Sequence, residues 1–474
     1  MSEDIQADIC VIGAGSAGLS VAAGAAQLGA RTVLIEAQKM GGDCLNTGCV
    51  PSKSLLAAAK GAKAVARARR FGVRAGEPNV DFEAVNAHVH GVIDAITPHD
   101  SIERFTGLGC IVFEGRARFV DPRTVEAAGK IIRARRFVIA TGSRAAVPTI
   151  PGLDSAPYFT NETIFDNVVL PRRLLVIGAG PIGCELAQAH RRLGAQVSVF
   201  DLGPLLPKDD PDAAAVVRDA LVEDGIDLHE SVDILRVETR AEGVAIVLRN
   251  GAGESAIEGS HLLVAAGRKP NVEDLGLEAA GVRYSNKGVE TDARLRTSNK
   301  RIFAAGDVAG GLQFTHLAGY QAGIVIRNAL FRLPAKSRPK AFPWVTYTDP
   351  ELAQVGLTKA QARERGGDIR ILRADFADND RARAESDTRG FLEAVVTKGG
   401  HVLGATIVGH NAGELITPWT LAISQGLKIG ALANVIVPYP TLSEISKRAA
   451  GGYFTPALFS ARMRALVRFL GAFG

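Results

Sequence analysis

Hydrophobic and polar positions follow the same order in two stretches of the chain, which centre on glycine-rich loops at residues 13–18 and 178–183. Residues 8–12 and 174–177 are short apolar runs, typical of buried strands. Each run leads into its loop, then into an Ala-rich segment with helical character, and then into a second apolar run. The pattern predicts a strand–loop–helix–strand unit at each position.

Both loops have the GxGxxG form that cradles a dinucleotide. The first contributes the candidate contacts Gly13, Gly15, Ser16, Ala17 and Gly18, and the second Gly178, Gly180, Ile182 and Gly183. The glycines permit a tight turn and a close approach to pyrophosphate, whose charge the helix N-terminus binds. An acid at the end of the second strand, Glu36 or Asp201, completes each fingerprint by accepting hydrogen bonds from a ribose. One GxGxxG is a weak signal, but two complete copies predict two dinucleotides, FAD and NAD(P)H.

Further strand ends and proline-rich joints indicate how the chain is divided. Apolar runs end at Thr141-Gly142, at Gly267 and at Gly306-Asp307, and a hairpin pattern covers residues 390–409. We therefore predict an α/β protein with two Rossmann-like domains, for FAD and NAD(P), followed by a C-terminal α+β domain. The predicted ranges are 1–147 and 270–338 for the split first domain, 148–269 for the second, and 339–474 for the third.

Composition narrows the function classes. The 474 residues are 47% hydrophobic and 22% charged, with a net charge of +5 and dispersed Lys and Arg, so nucleic-acid binding is not indicated. The acidic start Met1–Asp4 does not resemble a signal peptide, and no apolar run reaches spanning length without a Gly or a charge. We expect a cytoplasmic protein, in which a disulfide is more often catalytic than structural.

Two of the five cysteines, Cys44 and Cys49, lie in the stretch GGDCLNTGCVPSK. We expect Pro51 to open a helix running to about Arg70, whose N-terminal dipole favours a thiolate at Cys49. The alternatives are a structural disulfide and a metal site, but the nearest His is His88. Reversible dithiol–disulfide chemistry is the favoured interpretation, with no metal site. Buried, inert thiols are expected at the remaining cysteines, Cys10, Cys110 and Cys184.

These motifs resemble the class I pyridine nucleotide–disulfide oxidoreductases, which include dihydrolipoamide dehydrogenase, glutathione reductase and mercuric reductase. The resemblance covers essentially the whole chain and includes ATGS at 140–143, AAGDV at 304–308 and YPTLSE at 439–444. It implies FAD in the first fold, a reduced nicotinamide in the second, and a homodimer in which the C-terminal domain completes the other subunit's active site. It also implies electron flow from NAD(P)H through flavin to a Cys44–Cys49 disulfide and on to a disulfide substrate.

The resemblance assigns roles by position. Cys49 would lie beside the flavin in a charge-transfer contact, and Cys44 would be the interchange thiol that attacks substrate. Lys53 would lie near the flavin N5, paired with Glu185. The remaining FAD contacts implied are Glu36 for the adenosine ribose, Asp307 for the ribityl or pyrophosphate end, and Gly42, Thr141, Gly142 and Gly306, while Gly267 is expected at the nicotinamide nucleotide.

The C-terminal motif departs from the thiol-handling members of the family. Those members begin it with a His that acts as acid–base partner of the interchange thiol, whereas this chain has Tyr439, followed by Glu444. A phenol with an ordinary pKa near 10 is a poor base at neutral pH. Mercuric reductases also have Tyr there, but this sequence ends without their vicinal Cys pair. His316 could take the place of the missing His as acid–base partner, although we favour a core or flavin-packing role for it.

Four readings of the function therefore stay open. The acceptor is a small or protein-bound disulfide in the first and a soft metal ion, as in mercuric reductase, in the second. Dihydrolipoamide dehydrogenase activity is less favoured, and a redox sensor that no longer turns over is opposed by the intact Cys pair, Lys53 and both nucleotide motifs.

Asp201 favours NADH, because a carboxylate repels a 2′-phosphate, although Lys208 keeps NADPH possible. The final helix, residues 460–470, combines three arginines with apolar residues. Such a helix can lie on a membrane surface or on a partner, and we expect packing against the dimer rather than membrane contact.

Overall fold

The computed structural model describes residues 4–250 and 253–473. The first part of the chain forms seven strands and five helices. The strands are β1 (Asp4–Ile12), β2 (Thr32–Glu36), β3 (Cys110–Glu114), β4 (Arg118–Asp121), β5 (Thr124–Ala127), β6 (Lys130–Ile139) and β7 (Ser143–Ala145). The helices are α1 (Ser16–Gln27), α2 (Gly42–Asn46), α3 (Cys49–Arg67), α4 (Phe82–Ile96) and α5 (Ile102–Gly107).

The second part contains a parallel sheet, a three-stranded antiparallel sheet and two helices. The strands are β8 (Arg173–Ile177), β9 (Gln196–Phe200), β10 (Ile226–His229), β11 (Asp233–Arg240), β12 (Gly243–Asn250), β13 (Gly253–Gly259), β14 (His261–Val264) and β15 (Arg268–Pro270). The helices are α6 (Pro181–Arg192) and α7 (Pro211–Glu223). The parallel sheet has the order β10–β9–β8–β14, so the strand that leads into the second glycine loop lies at its centre.

The chain then returns to the first sheet. This segment forms β16 (Tyr284–Ser285), β17 (Gly288–Val289), β18 (Ile302–Ala304) and α8 (Thr315–Ala329). Strand β18 pairs in parallel with β6 and extends the order β3–β2–β1–β6, in which all neighbours are parallel. Helix α8 packs on α1 through small residues, and a Cβ on Gly24 would lie 2.5 Å from Ile326 Cδ1.

The last part is built on a five-stranded antiparallel sheet in the order β19–β20–β23–β22–β21. These strands are β19 (Pro343–Thr346), β20 (Glu351–Gly356), β21 (Ile369–Asp375), β22 (Phe391–Thr397) and β23 (Val402–Gly409). The helices are α9 (Lys359–Arg365), α10 (Asp380–Ala384), α11 (Ala412–Leu415), α12 (Thr417–Ser424), α13 (Ile429–Ala433), α14 (Glu444–Gly452), α15 (Thr455–Leu458) and α16 (Ala461–Leu470). The fully buried Trp419 lies in the core between this sheet and its helices.

The predicted α/β fold class is confirmed, while the residue numbers of the domain boundaries stay predictions. The hairpin expected at 390–409 is the pair β22–β23. The helix predicted to open at Pro51 begins two residues earlier, at Cys49, and a 3-10 turn at Ala68–Phe71 continues it. Proline is tolerated at this third helical position because the first-turn N–H groups lack intrahelical partners in any case. Among the described residues, no helix is long and apolar enough to cross a bilayer.

The joints between strand and helix leave no space for a side chain at the last glycine of each loop, Gly18 and Gly183. A Cβ on Gly18 would lie 1.8 Å from the carbonyl oxygen of Gly13, and one on Gly183 would lie 1.9 Å from that of Gly178. Gly13 and Gly178 have φ of +103° and +116°, in the region that favours glycine. The same close packing of strand against helix thus shapes both loops and aims the N-termini of α1 and α6 at the edge of their sheets.

Gly183→Ala should destabilise the second nucleotide-binding unit by about 2 kcal/mol, because the new methyl group can be accommodated only by moving backbone. The measurement is the midpoint of thermal unfolding, which should fall by several degrees. Gly180→Ala is the matched control, because a Cβ there meets nothing within 4 Å. Equal midpoints for the two variants would contradict the packing argument.

Candidate active site

The cysteine-bearing loop rests directly on the first glycine loop. The N–H of Gly41 donates to the carbonyl of Ala14 at 3.0 Å, and a Cβ on Gly42 would lie 2.7 Å from the Cα of Gly15. Gly41 and Gly42 have φ of +86° and +58°. This backbone contact fixes α2, which carries Cys44, beside the N-terminus of α1.

The first glycine loop fits the diphosphate of FAD. Helix α1 has Gly15 as its N-cap, without a side-chain cap, and no acid in its first turn, so no acidic side chain of that turn competes for its N–H groups. Glu36 accepts the N–H of Ala14 at 2.5 Å through one oxygen and the N–H of Gln38 at 2.8 Å through the other. These bonds hold the carboxylate at the strand end, where the fingerprint needs a ribose acceptor.

The other predicted FAD contacts meet at the same sheet edge. Thr141 donates its hydroxyl to the carbonyl of Asn271 at 2.7 Å, and Ser143 donates its hydroxyl to Asp307 at 2.5 Å. Burial raises the pKa of Asp307. Gly306 precedes this acid with φ +75° and donates its N–H to the side chain of Gln321 at 2.7 Å. The loops after β6 and β18 therefore close one side of the cradle.

The second glycine loop repeats this construction. Helix α6 also begins without a side-chain cap, and a Cβ on its cap residue Gly180 meets nothing within 4 Å. Asp201 accepts the N–H of Ala179 at 2.7 Å and the N–H of Gly203 at 2.8 Å. Lys208 is exposed and lies beside Asp209. The arrangement fits a nicotinamide dinucleotide whose ribose hydroxyls bond to Asp201.

Two further predicted contacts flank this second loop. Ile182 lies in the first turn of α6, partly buried, and Gly267 follows β14 with φ +131°. The next residue, Arg268, leads back toward the first unit, where its side chain donates to the hydroxyl of Ser143 at 2.8 Å. Arg268 therefore links the end of β14 to the first nucleotide-binding unit.

Cys44 and Cys49 lie close enough for their thiols to share a hydrogen bond, and both are free thiols here. Cys49 is the first residue of α3, and its Sγ lies 3.4 Å from the hydroxyl of Thr315. The hydrogen bond from Cys44, another from Thr315 and the charge of Lys53 lower the pKa of Cys49 to about 6. The same hydrogen bond, together with burial, raises the pKa of Cys44. The pair therefore holds one proton on Cys44 and a thiolate at Cys49.

Lys53 and Glu185 form the predicted ion pair, with the Lys53 Nζ 2.8 Å from a Glu185 oxygen. The side chain of Glu185 is only 6% exposed. Burial opposes the ammonium form of Lys53, but the Glu185 carboxylate outweighs it and raises the pKa of Lys53. One turn of α3 separates Lys53 from Cys49, so the charge reaches the thiolate as well.

Tyr347, which the sequence analysis missed, completes this ion pair. Its N–H donates to the second oxygen of Glu185 at 2.9 Å, and its ring centroid lies 4.4 Å from the Lys53 Nζ. Tyr347 follows β19, so the third domain contributes to the site within the same chain. Tyr347 is 162 residues from Glu185 in the sequence, and no local pattern indicated that the two residues are in contact.

Asp43 lies in the GGDCLNTGCVPSK stretch, but the sequence analysis assigned it no role. It accepts hydrogen bonds from Thr47 at 2.9 Å and from Asn161 at 3.1 Å, and pairs with Arg268 at 3.2 Å. Arg268 is also 3.8 Å from Asp307. This network ties the cysteine loop to both nucleotide-binding units.

The C-terminal candidates lie elsewhere in the chain. Tyr439 is 70% exposed and donates its hydroxyl to Asp380 at 3.1 Å, and that bond raises its pKa. Glu444 begins α14 and accepts the N–H of Thr441 at 3.4 Å. His316 stacks on Phe342, 4.8 Å between ring centroids.

The structure thus brings Cys44, Cys49, Lys53 and Glu185 together, and the roles of Tyr439 and Glu444 stay predictions.

Two further groups of reactive side chains lie outside this site. Cys10, Cys110 and Cys184 are buried, as expected, and burial raises the pKa of each. Asp349, Asp387 and His410 lie within metal-ligand reach of one another. Both carboxylates are within 4 Å of Arg67, and Asp349 bonds to Arg192 at 2.8 Å, so we interpret this cluster as an ion-pair network.

Comparison with known proteins agrees with this geometry. The pyridine nucleotide-disulphide oxidoreductase family matches residues 7–322, and its dimerisation domain matches residues 342–450. Mercuric reductase from Staphylococcus aureus is 37% identical over 94% of this chain and 82% of its own length. Dihydrolipoyl dehydrogenase from Geobacillus stearothermophilus is 34% identical over 94% of this chain and 96% of its own length.

Solved structures give the same result. The HOCl-induced flavoprotein disulfide reductase RclA from Escherichia coli, solved as a Cu(II) complex, has a TM-score of 0.83 and 28% identity, covering 93% of this chain and 98% of that one. LpdA from Mycobacterium tuberculosis has a TM-score of 0.86 and 26% identity, covering 94% of this chain and 99% of that one. The dimerisation-domain match supports a homodimer, and the family uses FAD and NAD(P)H. The chain belongs to the pyridine nucleotide-disulphide oxidoreductases, flavoprotein enzymes that act with NAD(P)H.

Proposed function

We propose that this chain passes electrons from NADH, held at the second glycine loop, through FAD at the first loop to a Cys44–Cys49 disulfide, and from there to a disulfide substrate. Bound FAD would supply the hydride acceptor and the two electrons that open the disulfide. The convergence of Cys49, Lys53 and Glu185 carries the proposal, because it joins both nucleotide loops to one dithiol. The proposed compartment is the cytoplasm, where dithiols stay reduced.

The thiols divide the chemistry between them. Two electrons and one proton convert the disulfide to a Cys44 thiol and a Cys49 thiolate. Cys44 then loses its proton and attacks the substrate disulfide, so that one substrate thiolate leaves and a mixed disulfide forms. Cys49 attacks the Cys44 sulfur, releases the second substrate thiolate and restores the internal disulfide. The lowered pKa of Cys49 and the raised pKa of Cys44 support the position of the proton in the reduced pair, whereas the attack requires that Cys44 lose this proton.

The proton on Cys44 needs an acceptor during this attack. The groups that shift the pKa of Cys44 are Cys49, Thr315 and Ser16, and the two hydroxyls are not bases at neutral pH. We propose that Tyr439 reaches the thiols of a second copy and donates a hydrogen bond there, with Glu444 fixing its loop. A phenol with an ordinary pKa near 10 is protonated at neutral pH and can donate but not accept the proton, so another base or water would take it.

Tyr439 also favours a second candidate function, the reduction of a soft metal ion. Two thiolates bind such a cation without a protein base that cycles between acid and base forms. Relatives named mercuric reductase, and a structural relative solved with Cu(II), bring this chemistry into consideration. The disulfide substrate remains the main proposal, because Cys44 and Cys49 share a hydrogen bond and can form the internal disulfide without a metal ion.

An anaerobic titration of the purified holoenzyme with NADH tests the electron path. The wild type should take up about twice as many electrons per subunit as Cys49→Ser, since the disulfide is a second two-electron centre. A long-wavelength charge-transfer band should appear at the two-electron stage only when Cys49 is present. Reoxidation by lipoamide or glutathione disulfide would select a disulfide substrate, and reoxidation by Hg(II) or Cu(II) alone the metal ion. A flavin that reduces normally without the band would refute the proposed path.

The thiolate at Cys49 predicts an unusual pH dependence. Alkylation of the reduced enzyme by iodoacetamide should rise with a midpoint near pH 6, because the lowered pKa keeps Cys49 ionised above that pH and protonated below it. Cys44→Ala should move the midpoint upward by about one unit or more, and Thr315→Val should do so by less, since each removes a hydrogen bond to the thiolate. Mass spectrometry assigns the modified residue. A wild-type midpoint near that of an ordinary thiol would contradict the assignment.

Asp201 predicts the choice of nicotinamide nucleotide. The kcat/KM should favour NADH over NADPH, because the carboxylate accepts ribose hydroxyls and repels a 2′-phosphate. Asp201→Asn should lower the NADH-to-NADPH ratio by about tenfold, equivalent to roughly 1.4 kcal/mol. Lys208→Gln is the control for the exposed cation in the following loop, and it should leave the ratio unchanged. A wild-type preference for NADPH that Lys208→Gln abolishes would overturn the assignment.

A further inference from the structure

The end of the chain forms a helix that contributes nothing to the core of its own subunit. Ser460 caps α16 by accepting the N–H of Met463 at 3.2 Å, and the helix ends in a 3-10 turn at Gly471–Phe473. Within the described part of the chain, no residue of α15, α16 or this turn is buried. Residues 451–474 also lie beyond the part of the chain that matches the dimerisation domain.

One face of this segment is strongly apolar. Met463, Leu466, Val467 and Leu470 follow the i, i+3, i+4, i+7 spacing of a single helix face. Flanking aromatic residues extend the surface at both ends. The exposed large apolar side chains are Leu458, Phe459, Met463, Leu466, Val467, Phe469, Leu470 and Phe473. A contiguous surface of this kind marks a contact with a partner or a membrane.

The charges of the segment indicate what kind of surface contacts the apolar face. Arg464 and Arg468, four residues apart, lie opposite the apolar face, and Arg462 lies at its border. Glu444 is the last acid of the sequence, so every charged side chain after it is positive. Two copies of the helix packed on each other would bring together six arginines and no acid. Anionic headgroups complement this pattern, since arginines on one face and Leu and Phe on the other are typical of helices that lie in a bilayer interface.

We propose that residues 458–473, centred on α16, dock on the surface of an anionic lipid bilayer. The apolar face would enter the boundary between headgroups and acyl chains, and the three arginines would contact lipid phosphates. Of the two occupants open from the sequence, the proposal takes the membrane surface, because the segment combines an apolar face with charges that are all positive.

Co-sedimentation of the full-length, FAD-loaded protein with vesicles tests the proposal. The bound fraction should be at least about tenfold higher on phosphatidylcholine mixed with phosphatidylglycerol than on phosphatidylcholine alone, and high salt should reduce it. The double variant Val467→Glu with Leu470→Glu should abolish binding, and Arg464→Gln with Arg468→Gln should weaken it. Val168→Glu is the matched control, because it places the same charge at an exposed apolar position outside the segment and should bind like the wild type.

Two readouts separate this proposal from its competitor. NADH oxidation in solution should be unchanged in the helix variants, which shows that they fold and keep their cofactors. Sedimentation equilibrium should give the same oligomeric state for wild type and the Glu double variant. Failure of the wild type to bind anionic vesicles would overturn the proposal. So would dissociation of the double variant into monomers, which would assign the helix to the subunit interface.

Discussion

The ion pair between Lys53 and Glu185 is the interaction on which the arrangement of the site depends. Lys53 belongs to the cysteine-bearing helix of the first unit and Glu185 to the helix after the second glycine loop. Glu185 is almost fully buried, and an unpaired carboxylate there would be strongly destabilising. The backbone N–H of Tyr347 satisfies its other oxygen. Three domains are thus fixed around one charge pair, which holds the two nucleotide loops in register with the dithiol.

The electrostatics of the thiols follow from that constraint. Lys53 adds positive charge one helical turn from Cys49, while Thr315, from a segment 266 residues away, adds a hydrogen bond. Neither contact depends on a substrate, so the thiolate is stabilised before any substrate arrives, as preorganised sites require. The pKa of Cys44 rises in turn, because its proton forms the hydrogen bond that stabilises the Cys49 thiolate. In the proposed reaction, the nucleophile that meets the substrate is therefore the thiol that still needs a proton acceptor.

The predictable parts of the site are those encoded locally. Glycine spacing determines the loop geometry, because a Cβ at Gly18 or Gly183 would collide with backbone five residues away. The acids at the strand ends and the cysteine pair are local features of the same kind. The Lys53–Glu185 pair came only from resemblance, since solvated Lys and Glu are common on helices. Contacts of Tyr347 and Thr315 join segments far apart in sequence, and no short-range pattern records them.

The terminal helix shows a different limit of sequence reasoning. Apolar residues at i, i+3, i+4 and i+7 report that one face is covered, but they do not distinguish a protein core from a subunit interface or a lipid surface. The fold excludes the first of these, because α16 buries none of its residues within its own chain as described. Charge then favours the lipid surface over a contact between two copies of this segment, because neither copy contains an acid. A face bordered only by arginines is self-repelling in such a pair and attracted to anionic lipid, so the same periodicity that predicts a packed helix becomes, with this charge pattern, an argument for a membrane surface.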